Sequence, residues 1–176
     1  MDRIVADSSA LILLAKCNLL EIVCDLCEVV LPKTVIVEVA SEDLVRIYPD
    51  AALISNLAAK GVISVQNPGN SRYSLPISLH PGEKDALLLA LNQEGSLLAT
   101  DDGKAIKAAR FLKVPFIITP KIVAELFRLG KISFKKARDS LEKLGKIGRY
   151  SPEIIADALV TLMEEKDGKA NNNKDT

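Results

Sequence analysis

Five short apolar runs punctuate the chain: Ile4-Val5-Ala6, Val29-Val30-Leu31, Val62-Ile63-Ser64-Val65, Leu97-Leu98-Ala99 and Pro115-Phe116-Ile117-Ile118. Longer stretches with the 3.6-residue period of helices separate them. Short strands without polar alternation are buried on both faces, and strands alternating with helices imply a parallel sheet covered on each side. The reading is therefore α/β, a three-layer α/β/α sandwich with a central parallel sheet and a helical carboxy-terminal extension. With 176 residues, 48% of them apolar, there is enough chain for one such core.

Local signals place the remaining elements. Ser8 or Ser9 caps a helix reaching about Lys16, and Pro32 closes the second strand. Residues 33–42 read two ways. Val35-Ile36-Val37 favours a strand, whereas segment length and Thr34 as cap favour a helix. Asp50 caps a helix to about Lys60, ended by Gly61. Residues 68–81 read as irregular. Helices follow over 82–94 and 103–112, and then over 120–129, 134–145 and 152–165. The polar stretch 167–176 reads as a disordered tail. The expected organisation is an α/β domain over 1–130, a packed helical extension over 131–166 and that tail.

In a parallel sheet of this kind ligands bind beyond the carboxyl ends of the strands. Asp7 directly follows the first strand, and Thr100-Asp101-Asp102 follows the fourth. If those strands are neighbours, three carboxylates share one edge. Two unit charges 4 Å apart repel by about 4 kcal/mol at an effective dielectric near 20. Protonation, a basic partner or a cation must offset this. Oxygen donors without nearby His or Cys suit Mg²⁺ or Mn²⁺. Glu38 and the Glu83/Asp85 pair are further acids that could join. Each also has a plainer role: aspartates after strands cap helices, Glu38 amid valines can face solvent, and acids in a first turn complement the helix dipole.

The ordered set resembles the PIN domains, metal-dependent ribonucleases that include VapC-type toxins. Val5-Ala6-Asp7-Ser8-Ser9 followed by Ala10-Leu11-Ile12 is similar to their opening, and Val37-Glu38-Val39 to their second acid on a helix. Asp85-Ala86-Leu87-Leu88-Leu89-Ala90 resembles the third acid's surroundings, and Leu97-Leu98-Ala99-Thr100-Asp101-Asp102 the fourth. The resemblance covers roughly residues 3–130. Gly82-Glu83 and the region from Gly130-Lys131-Ile132 to Tyr150-Ser151-Pro152 are more like a poorly characterised prokaryotic branch.

The resemblance implies hydrolysis of RNA phosphodiester bonds. Asp7, Asp85 and Asp102 would hold one or two Mg²⁺ or Mn²⁺ ions, with Glu38 as ligand or water-orienting base. Glu83 and Asp101 would be auxiliaries. Glu83 and Asp85 lie about 200° apart on a helix, so both cannot point inward equally. Of the adjacent pair Asp101 and Asp102, the resemblance maps Asp102 onto the fourth acid. Ser9 and Thr100 could hydrogen-bond a carboxylate or the phosphate. The resemblance further implies a homodimer, a small antitoxin partner and a cytoplasmic setting.

The net charge is zero, which taken alone would argue against a nucleic-acid partner. Its distribution reverses the inference. Residues 1–102 carry 7 Lys+Arg and 14 Asp+Glu, residues 103–149 carry 13 and 3, and residues 150–176 carry 3 and 6. An acidic half is thus followed by a basic segment suited to phosphate. Lys104, Lys107 and Arg110, at three-residue spacing after Asp102, are the candidate RNA-binding cations.

Other classes fit less well. No apolar run is long enough for a membrane helix, and no basic leader opens the chain. Cys17, Cys24 and Cys27 read as packed thiols. The Cys24–Cys27 spacing lacks the second pair a zinc site needs, and His80 reads as a loop residue. There is no glycine-rich phosphate loop. A response-regulator receiver would need its acidic pair early, whereas here the pair comes late. The alternative kept is a PIN-like module without turnover that binds RNA or protein.

Overall fold

The structure, a computed structural model, describes residues 2–69 and 78–172, of which 169–172 as backbone only. The chain divides into two compact units, Met1–Ile118 and Thr119–Thr176. The boundary expected after residue 130 lies inside the second of them.

The first unit is built on five parallel strands: β1 (Arg3–Ala6), β2 (Glu28–Pro32), β3 (Ile63–Gln66), β4 (Leu97–Ala99) and β5 (Phe116–Ile117). Their order is β3-β2-β1-β4-β5. Val5 pairs with Val30 on one side and with Leu98 on the other, so β1 is central. The chain steps outward from β1 to β3, then returns to β4 beside β1. The order therefore reverses between β1 and β4, the place where sheets of this type open a ligand crevice.

Helices connect each strand to the next, as parallel pairing requires. They are α1 (Ser8–Lys16) and α2 (Leu20–Cys24) after β1, then α3 (Lys33–Val39), α4 (Glu42–Ile47) and α5 (Pro49–Ala59) after β2. Helix α6 (Pro81–Asn92) follows β3 and α7 (Gly103–Leu112) follows β4. One core cluster joins Val5, Val30 and Leu98 to Ala86, Leu87 and Leu89 of α6 and to Ala108 and Ala109 of α7. Ile4, one residue before Val5 and hence on the opposite face, is equally buried, as are Leu11 and Leu14 of α1 and Ile54 of α5. These are the two covered faces expected of the α/β/α sandwich.

One open reading is resolved and several local expectations are corrected. Residues 33–39 are helical: Val35 and Val39, four apart, are buried while Val37 faces out, the burial rhythm of a helix and not of a strand. Thr34 does not cap α3, which starts directly after the extended Pro32. Asp7, not Ser8 or Ser9, caps α1. Asp50 lies within the first turn of α5, because Pro49, with its fixed φ, opens that helix. Gly61 does end α5 as expected. Its φ of +71° lets the Val62 N–H reach the Leu57 carbonyl. Helices α2 and α4 have no counterpart in the sequence reading. Of the irregular segment expected over 68–81, residues 70–77 lie outside the described residues.

The second unit comprises α8 (Thr119–Arg128), α9 (Phe134–Ile147) and α10 (Pro152–Asn172). Gly130, at φ +70°, terminates the turn after α8, and the Ser133 hydroxyl caps α9 by accepting from the Lys136 N–H. Ile122 and Leu126 of α8, Leu141 and Leu144 of α9 and Leu162 of α10 are buried. Phe127 and Phe134 meet edge to face at 5.9 Å. Helix α10 continues to Asn172, so residues 167–172 are helical where the polar composition suggests a tail. No helix among the described residues is long and apolar enough to cross a membrane.

Leu98 is fully buried at the centre of the sheet. Leu98→Ala is expected to lower stability by about 2–5 kcal/mol, read as a shift of the urea midpoint without a change in slope.

Candidate active site

Asp7 follows β1 at the crevice and is only 1% exposed. Its first carboxylate oxygen, Oδ1, accepts the Ala10 N–H at 3.0 Å, capping α1, and the Ser9 hydroxyl at 2.6 Å. The other, Oδ2, accepts the hydroxyl of Thr100, which is buried at the end of β4. Burial pushes the Asp7 carboxyl up to about 6, against the pull of its hydrogen bonds to Ser9, Thr100 and Ala10; the charge of Asp101 adds to the rise.

The same two hydroxyls organise the residues after β4. The Asp101 N–H donates to Ser9 Oγ at 2.9 Å, and the Asp102 N–H donates to Thr100 Oγ1 at 3.2 Å. Asp102 caps α7, its Oδ1 accepting the Lys104 and Ala105 N–H groups at 2.7 and 2.9 Å. Thus Ser9 and Thr100, read from the sequence as possible partners of a carboxylate, each connect Asp7 to the Asp101-Asp102 pair.

Glu38 and Asp85 are set by a second arrangement, between α3 and α6. The Gly82 N–H donates to Glu38 Oε1 at 3.0 Å, and the Thr34 hydroxyl donates to Asp85 Oδ2 at 2.9 Å. Thr34 and Glu38 are four apart on one face, as are Gly82 and Asp85 at three apart. The two contacts form antiparallel rungs about one helical turn from each other. Ser8 joins this arrangement to the first, its hydroxyl donating to Glu38 Oε2. The absence of a Cβ at Gly82 leaves room for the Glu38 carboxylate, which a side chain there would displace. A groove of about 460 Å³ opens over Glu38 and Asp85, with Lys33, Val37, Asn67 and Pro81 in its walls.

Glu83 has a different partner. Its carboxylate accepts the His80 N–H at 3.0 Å, closing the start of α6. His80 stands at the N-terminal cap of that helix. The cysteines are free thiols, and burial pushes Cys24 and Cys27 up to about 12 and 11, far from the reactive range. Lys104 and Lys107 are exposed along α7, whereas Arg110 lies 5.6 Å over the Phe116 ring. The partners missed in the sequence are Ser8, read only as a cap, together with Thr34 and Gly82. Thr34 had a usable signal, its four-residue spacing from Glu38. Gly82 had none, because its partner is 44 residues away.

The donor chemistry at this edge is carboxylate and hydroxyl oxygen, which fits a hard divalent cation. Among the described residues no three carboxylates, imidazoles or thiols converge as a ready cage. Mg²⁺ does not demand one, since it commonly takes one or two carboxylates and completes its shell with water and substrate phosphate.

In comparisons with known proteins, the chain matches the PIN-domain family over residues 3–165. No curated protein and no solved structure matches it.

The raised Asp7 value makes a prediction for metal-free protein. The folded state holds this proton up to about pH 6, whereas the unfolded chain releases it near 3.8. Stability therefore falls as pH rises through that window, by about 3 kcal/mol from this group. Asp7→Asn lacks the effect. Denaturation in EDTA from pH 4 to 7 should show the wild type losing ground to the variant. A constant difference between the two would contradict the assignment.

Proposed function

The chain belongs to the PIN-domain family, and on that premise we propose that it is a divalent-metal-dependent ribonuclease working at the β1/β4 crevice. The observation that carries the reading is Asp7: a carboxylate buried at the switch point of the sheet, held by a hydroxyl from the neighbouring strand. Such a group is costly to keep ionised unless a cation joins it. Asp7, Asp85 and Asp102 would hold Mg²⁺ or Mn²⁺, with Asp101 beside them. When bound, such an ion makes water more acidic and offsets charge on the phosphoryl oxygens.

The chain's own residues supply orientation. Thr100 and Ser9 fix the Asp7 carboxylate, so it does not reorganise as charge develops. Glu38, gripped by Ser8 and by the Gly82 N–H, is the candidate to ligate or to orient the attacking water and take its proton. Thr34 steadies Asp85. The substrate class is RNA, in line with the basic stretch that follows the acidic half.

We further propose the biological setting of a toxin in a toxin–antitoxin pair: a cytoplasmic homodimer whose acidic edge a small antitoxin covers. A second reading, a PIN-like module that binds without turnover, draws on the dispersal of the acids into two hydrogen-bonded sets. Calorimetric titration with millimolar Mn²⁺ separates them, since the binding module predicts no heat.

Purified protein should cleave single-stranded or structured RNA with Mn²⁺ and stop with EDTA. Asp7→Asn and Asp85→Asn should each lose on the order of 10²-fold or more. Cleavage by Asp7→Asn at the wild-type rate would sink the proposal. Gly82→Ala should keep the fold while displacing Glu38, lowering the rate by about 10- to 100-fold. An unchanged rate there would remove Glu38 from the chemistry.

A further inference from the structure

Helix α7 starts at Asp102 and leads away from the acidic edge. Lys104, Lys107 and Phe111 lie on it at positions i, i+3 and i+7, which share one face. All three side chains are exposed, Phe111 to 69%. Residues 103–113 contain four cations and no acid. Among the described residues neither Lys104 nor Lys107 has an ion-pair partner. Arg110, the third cation expected to bind RNA, has drifted around the helix and is engaged with Phe116. The face therefore consists of two uncommitted ammonium groups followed by an uncovered aromatic ring.

We propose that this face is a track for single-stranded RNA, with Lys104 and Lys107 holding backbone phosphates and Phe111 stacking an unpaired base about 13 Å along the helix from Asp102. The proposal rests on the ribonuclease reading for its direction, since the strand would run from the acidic edge outward along α7. Charge complementarity selects the occupant. Phosphates match the lysines, and a base offers a π-face to the ring. A protein partner would have to bring carboxylates and an apolar side chain together. Duplex RNA satisfies only half of the arrangement, because its bases are already stacked and its grooves do not present them to a flat ring. Among the described residues Phe111 is the most exposed of the large hydrophobic side chains, and it is the one that follows two unpaired lysines on the same helix face.

The test is fluorescence anisotropy of the full chain in EDTA with a fluorescein-labelled oligouridylate and, separately, a blunt RNA duplex of equal length. Phe111→Ala should weaken binding of the single strand by about tenfold or more while changing the duplex by less than about twofold. Phe111→Trp should restore the single-strand affinity. The Lys104→Ala/Lys107→Ala double variant should weaken both ligands and reduce the single-strand salt slope by about 1.4. Single-strand affinity of Phe111→Ala within about twofold of wild type would overturn the track. So would an equal loss on the duplex. A change of oligomeric state in Phe111→Ala by light scattering would do so too, since it would assign the ring to a protein contact. Because binding is read without metal, a protein that binds through Phe111 but cleaves nothing would refute the ribonuclease reading alone. Normal cleavage with binding indifferent to Phe111 would refute the track alone.

Discussion

The candidate site depends on one buried contact, the hydroxyl of Thr100 against the carboxylate of Asp7. It spans the two strands between which the sheet reverses its order, and it gives a desolvated acid a fixed place. The backbone supports the same geometry, because the Asp7 N–H donates to the Ala99 carbonyl at 3.1 Å. Parallel pairing of β1 with β4 therefore brings both residues to one level. What the acid loses in hydration is only partly returned by Ser9, Thr100 and the α1 N-terminus, as its raised titration shows. A group left in that condition has a standing preference for a proton or a cation.

The second pair of acids is positioned by different physics. Glu38 and Asp85 are not at strand ends; they stand on two helices that face one another. Each takes a hydrogen bond from the opposite helix, Glu38 from a backbone N–H and Asp85 from a hydroxyl. The close approach that this needs is allowed by Gly82. The acidic edge thus combines a rigid part, anchored in the sheet, with a part whose geometry follows the packing of α3 against α6.

What the sequence discloses and what it conceals divide along the range of the interaction. Strand ends are legible because a run such as Leu97-Leu98-Ala99 has no polar alternation, and the aspartates after the strands are therefore visible as candidates. The valine-rich run 35–39 is ambiguous because β-branched residues suit strands, while burial at Val35 and Val39 is decided by tertiary packing. Helices of five and six residues, α2 and α4, are too short to display a period. Local competition between caps is also hidden. Ser8 and Ser9 are both good caps by composition, but Asp7 takes the position while the Ser8 hydroxyl holds Glu38 and that of Ser9 links Asp7 to the Asp101 N–H. The neighbouring pair Glu83/Asp85 separates for a similar reason, Glu83 closing the start of its own helix while Asp85 reaches across to α3.

The contacts that arrange the acids join residues 44, 51 and 93 apart in the chain. Loops of that size close late in folding, because their entropy must be spent before the contact rewards it. During synthesis Asp7 emerges long before Thr100, and in the interval it has no partner from β4. A fragment ending before β4 would carry three of the four acids and the local contacts of Asp7 to Ser9 and Ala10, but not the contact from Thr100 that ties it to the neighbouring strand. Assembly of the acidic edge is thereby tied to completion of the sheet, since its first acid meets its partner only when β4 is in place.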